Sequence, residues 1–151
     1  IYLNTNYKDT LIIRIEEYKP IGIYFFNNKY FVFDKNGKII DKIYITDFKN
    51  KSLLIFKGNS SNLKASSMIK ILKNNDFEKK YKIESLEFIN KRRWDINLYR
   101  DVKLMLSEED PNKSIKNFIM IQNKLSEMDI NNIKAYDLRN LKKTILINLN
   151  D

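Results

Sequence analysis

Apolar and polar residues alternate along most of this chain, and the alternation gives way to helical spacing at two places. Leu11, Ile13 and Ile15 alternate with Ile12, Arg14 and Glu16, the pattern of a strand with one buried face. Pro20 ends it, since proline donates nothing to a ladder and biases Lys19 toward extended backbone. EYKPIGIYFF therefore reads as two extended segments joined at a bend, with a domain junction at Tyr18 to Pro20. In the stretch from Ile21 to Ile45, Asn27-Asn28 and Asp34 to Gly37 are turn chemistry, which predicts a meander of three strands. Asp34 and Asn36 have a faint likeness to a calcium loop. The glycine comes too early and no bidentate Glu follows at the twelfth position, so the segment reads as a turn.

KSLLIFKG is a further short strand ending at Gly58. The spacing then becomes helical, with Ser60 or Ser61 available as N-cap and Ala65, Met68, Ile69 and Leu72 on one face, a core stripe. From Tyr81 to Leu106 alternation returns and predicts three strands with turns near Asn90 to Arg93 and at Tyr99 to Asp101. The clearest helix follows, with Asp110 as N-cap, Pro111 at the first position and acidic residues near the positive end of the dipole. Its buried face is Ile115, Phe118, Ile119, Gln122 and Leu125. IKAYDLR and KKTILINL then read as two strands around a turn at Asn140 to Leu141. In the last strand Ile145, Ile147 and Leu149 share one face, and Thr144, Leu146 and Asn148 the other. No turn follows, so this strand is expected either to lie between two earlier strands or to leave one row of N–H and C=O groups unpaired. An unpaired row is a liability or a docking site. The order of elements predicts an α+β fold with a largely antiparallel mixed sheet and two main helices.

Composition narrows the function more than the fold. The 151 residues suffice for one full core, and 43% hydrophobic residues with only three Gly and two Pro describe a globular chain. Lys and Arg number 28 against 19 Asp and Glu, a formal charge of +9. The lysines are dispersed, which supplies solubility without the clustered footprint of a nucleic-acid surface. Cysteine and histidine are absent, which removes disulfides, thiolate metal sites, the commonest general base and both usual catalytic triads. Neither metal nor cofactor is expected, and an enzyme would have to work with carboxylates, Lys or Tyr alone. No run of about 18 apolar residues is present. The chain opens in mid-pattern without Met, so a fragment of a longer protein is expected, with any membrane anchor before it.

Glu16-Glu17 and Glu108-Glu109-Asp110 are the dense carboxylate clusters. Neighbours on a strand point to opposite faces, and the acidic trio is more simply a helix start. NKRRWDI, residues 90–96, is the one basic knot with an aromatic. Three readings stand: a clamp on nucleic acid, a turn of solvated Arg with Trp94 entering the core, or an Arg poised for an acidic residue of a protein partner. Asp137 and Arg139 share a face and are expected to pair with each other or with neighbours.

Taken in order, EYKPIGIY, YFVFDKNGKII, RRWDINL, VKLMLSEED, a helix and AYDLRNLKKTILINL resemble the extracytoplasmic part of the bacterial cell division family FtsQ/DivIB over nearly the whole chain. The resemblance implies a non-enzymatic scaffold of the divisome, the machinery of septum formation. Its members carry a cytoplasmic tail, one membrane-spanning helix, a POTRA domain and a second β domain. Residues 1–19 are then the C-terminal strands of a POTRA domain and 20–151 the β domain, in the periplasm. The anchoring inner-membrane helix is absent from this chain. The resemblance also implies that the C-terminal strand is a sheet edge to which a strand of FtsB, carried with FtsL, is added. Strand addition draws affinity from backbone hydrogen bonds and selectivity from alternate side chains.

Carried over by position, Lys142, Lys143, Thr144, Ile145, Leu146, Ile147 and Asn148 trace the docking edge. Asn140 stands where the family often has an aromatic contact, and Arg92 or Arg93 matches the arginine that meets an acidic partner residue. Two departures from the family pattern are the missing aromatic at Asn140 and the direct junction of Arg93 with Trp94. Lys142 and Lys143 either guard the edge against promiscuous pairing or attract acidic partner residues. Two other readings carry different expectations: an outer-membrane assembly protein with repeated POTRA units, and a small basic nucleic-acid-binding domain whose affinity depends steeply on salt.

Overall fold

The computed structural model of the chain describes residues 2–6, 10–14, 17–44, 46 and 53–148. Strands β1 (Tyr2–Asn6) and β2 (Thr10–Arg14) pair antiparallel as a two-stranded sheet of their own. The remaining strands form a nine-stranded sheet among the described residues. It begins as the predicted meander, β3 (Gly22–Phe26), β4 (Lys29–Phe33) and β5 (Ile39–Ile43). Asn27 and Asn28, both at positive φ, form the two-residue hairpin loop whose twist suits right-handed strands. The Asp34 turn is closed by its own carboxylate, which accepts from the backbone N–H groups of Asn36 and Lys38 at 2.9 Å each.

Strand β6 (Ile55–Lys57) lies parallel to β3, and helix α1 (Ser61–Asn74) then carries the chain over the sheet. After α2 (Phe77–Lys80) the chain enters β7 (Ile83–Ile89), parallel to β6, as a crossover helix requires. Gly58 makes this junction: its φ is +93° and an added Cβ would lie 2.4 Å from the carbonyl oxygen of Phe88. β7, β8 (Arg93–Leu98) and β9 (Val102–Leu106) form a second antiparallel meander. Helix α3 (Pro111–Gln122) and α4 (Glu127–Asn132) make a second crossover, and β10 (Ile133–Leu138) returns parallel to β9. The chain reverses once more, and β11 (Ile145–Asn148) pairs antiparallel with β10. The order β11-β10-β9-β8-β7-β6-β3-β4-β5 puts the last strand at one edge.

Phe33, Phe56, Leu86, Trp94, Ile96, Leu104, Leu106 and Tyr136 from the strands meet Met68 and Leu72 of α1 and Ile115 and Phe118 of α3 in one buried cluster. Phe118 meets Tyr136 edge-on at 4.9 Å, a geometry that aromatic quadrupoles favour. Asp110 caps α3 as predicted, accepting from the Lys113 N–H at 2.8 Å, with Pro111 at the first position. At α1 the expected cap is not made. Ser60 sits in left-handed backbone and turns its hydroxyl to Asn59, and the Ser61 hydroxyl is buried without capping the helix. The two short helices escape periodicity for different reasons: α2 buries Phe77 alone, and α4 buries nothing. Glu16, Ile45 and Leu149 lie outside the described residues. Among the described residues, no helix is long and apolar enough to cross a membrane.

Candidate functional site

Strand β11 has β10 on one side and no strand on the other among the described residues. Its alternation sorts the side chains. Leu146, opposite Tyr136, packs against the core, while Ile145 and Ile147 stand on the other face, 50% and 36% exposed. Thr144 is half-buried, and Lys142, Lys143 and Asn148 are exposed. Asn140 is exposed too, and its side chain serves the turn, its Oδ1 accepting from the Lys142 N–H at 2.9 Å. This is the Asx chemistry that lets asparagine replace a backbone turn.

The fold brings the basic knot to this edge. Arg92 and Arg93, in the β7–β8 turn and at the start of β8, line one groove with Glu108 of the β9–α3 loop and with Lys142, Lys143 and Ile145. Trp94, by contrast, is 5% exposed and packs on Phe56 and Phe88, so it offers no face on which a base could stack.

Register explains how the charges are held. Glu87, Asp95, Met105, Asp137 and Ile145 stand side by side across β7, β8, β9, β10 and β11. Facing carboxylates repel, and cations flank this row. Lys103 lies 3.9 Å from both Glu87 and Asp95, and Arg93 Nε is 3.2 Å from Asp95 Oδ1. Arg139 grips Asp137 with two hydrogen bonds, Nε to Oδ1 at 2.8 Å and Nη2 to Oδ2 at 2.6 Å, as the shared face predicts. That grip holds the Asp137 carboxyl below the usual aspartate range, against the opposing effect of partial burial. Arg92 differs from both. Its Nε reaches Glu108 Oε2 at 3.4 Å, and the two side chains are 68% and 53% exposed.

One residue that organises the site has no sequence signal. Ser114 is fully buried in α3, and its hydroxyl accepts from the Ser107 N–H at 3.0 Å and lies 3.1 Å from the Leu138 carbonyl, to which it donates. It thereby ties the end of β9, the first turn of α3 and the end of β10, the three segments that set Glu108 against Arg139 and Arg92. A serine on a helix in sequence reads only as a neutral polar residue.

The family model described as cell division protein FtsQ/DivIB, C-terminal, matches residues 24–139. This chain belongs to the FtsQ/DivIB family. The FtsQ match runs from within β3 to Arg139, which leaves β1, β2 and β11 outside it. Among curated relatives, cell division protein FtsQ of Rickettsia typhi is 30% identical over 143 residues, and that of Rickettsia prowazekii 29% over 143 residues. FtsQ of Rickettsia felis is 29% identical over 148 residues. In each case the match takes in 95% of this chain and 52% of the relative, so the chain spans about half the length of the FtsQ proteins it matches.

Proposed function

We propose that this chain is the docking part of a non-enzymatic scaffold of bacterial cell division, and that it receives a strand of FtsB, carried with FtsL, beside β11. Residues 20–151 are the β domain of that scaffold and residues 1–19 the end of a POTRA domain, which suits the separate pairing of β1 with β2. In this reading the domain works in the periplasm, held at the inner membrane by a segment preceding residue 1.

The observation that carries the reading is the position of β11 at the end of the sheet with Ile145 and Ile147 turned outward. Backbone groups on its open side supply the ladder, and the two isoleucines select apolar residues at alternate positions of the incoming strand. Geometry also separates the two arginines. Arg93 is committed to Asp95, a carboxylate only 3% exposed whose charge would otherwise be left uncompensated, whereas Arg92 is exposed and lightly held. Arg92 is the residue that meets the partner's carboxylate.

Ending the chain after Leu141 removes β11 and should abolish capture of the soluble FtsB–FtsL pair, measured by isothermal titration calorimetry. Circular dichroism of the truncated chain must show the sheet intact for the loss to count. Undiminished binding by a folded truncated chain would contradict the reading.

A further inference from the structure

Resting on the docking surface just proposed, the geometry points to Glu108 as an internal stand-in for the partner's carboxylate, and so as a residue that sets how tightly the groove takes an acidic segment. Three arginines line or border this groove, and each already has a carboxylate. They are not equally available. Asp137 is 13% exposed and holds Arg139 through two short bonds, and Asp95 at 3% exposure holds Arg93. Glu108 is 53% exposed and holds Arg92 through a single 3.4 Å contact. Exposed single-contact pairs of this kind are the weakest class of ion pair and exchange most easily for another partner.

Arg92 and Glu108 also come from different segments, the β7–β8 turn and the β9–α3 loop. Their contact therefore spans the groove rather than bracing one element. An acidic side chain arriving with a strand at β11 takes Arg92 by displacing Glu108. The displaced glutamate remains beside the newcomer and repels it. Glu108 thereby lowers affinity for acidic segments and leaves affinity for neutral ones unchanged.

The test is a double-mutant cycle on the full chain with the soluble FtsB–FtsL pair, read by calorimetry at fixed salt. Glu108→Gln should tighten binding by up to about fivefold, the scale of an exposed ion pair. Arg92→Gln should weaken binding, and adding Glu108→Gln to it should bring no further change, because the glutamate acts through the arginine. If Glu108→Gln leaves binding unchanged or weaker while Arg92→Gln weakens it, the stand-in is wrong and the docking reading survives. A gain of equal size in the Arg92→Gln background also overturns it, since the effect would then be a general field. Normal binding by Arg92→Gln overturns the assignment of Arg92 itself.

Discussion

The Ser114 hydroxyl shows how much a single buried polar group can organise. It pairs the Ser107 N–H and the Leu138 carbonyl, and both lose a partner if the oxygen is removed. Leaving buried backbone groups unsatisfied costs about 1–3 kcal/mol, so Ser114→Ala should destabilise the chain by that amount in urea unfolding, with Ser114→Thr intermediate. Asp137 gives a prediction in pH. Its carboxyl is held below the usual range, chiefly by its hydrogen bonds with Arg139. Its contribution to stability is therefore fully present above the ordinary aspartate value of about 3.9 and is lost as pH falls through the lower folded value. Unfolding free energies of wild type and Asp137→Asn should differ at neutral pH and converge in strong acid. Both residues contribute by holding others in place, and only Asp137 had a signal in sequence, through its spacing from Arg139.

Among the elements, the edge strand is the one whose two faces do different work. Leu146 anchors β11 to the core, while Ile145 and Ile147 remain half-exposed on the other face. Replacing both isoleucines by Lys should change stability by less than about 1 kcal/mol, since neither is buried. Binding of the FtsB–FtsL pair should weaken by at least about 1 kcal/mol, as expected for apolar contacts at an interface centre. A large loss of stability with unchanged binding would show that these residues are structural. Strands and long helices were legible because their period is written in apolar residues: the three-strand meanders fall where alternation and asparagine turns place them. The α1 cap was misread because Gly58 bends the chain so sharply that Ser60 enters left-handed backbone, a tertiary demand that no local pattern announces. Helix α4 buries no residue and so has no stripe, although Ser126 and Asp129 form its capping pair.

At the scale of the whole molecule, two crossovers set the outcome. Each helical return places a strand parallel to the one before it, and the final reversal leaves β11 outermost. The same path carries the β7–β8 turn alongside the β10–β11 connection, so Arg92 and the edge strand line one groove although they are distant in sequence. Sequence spacing marked both segments, but their adjacency follows from strand order, which periodicity does not encode. Likewise Arg92 and Arg93 are indistinguishable as letters, and the Asp95 contact that separates them depends on the register of β8. The central claim is that β11 is an open edge awaiting a strand. An NMR titration of the chain with the soluble FtsB–FtsL pair, following backbone amides, tests it most directly. The account predicts shifts concentrated in residues 145–148 and around Arg92, with new cross-strand contacts between β11 and the partner. Shifts confined to the β5 edge or to the helical layer, with residues 145–148 unmoved at saturation, would contradict it.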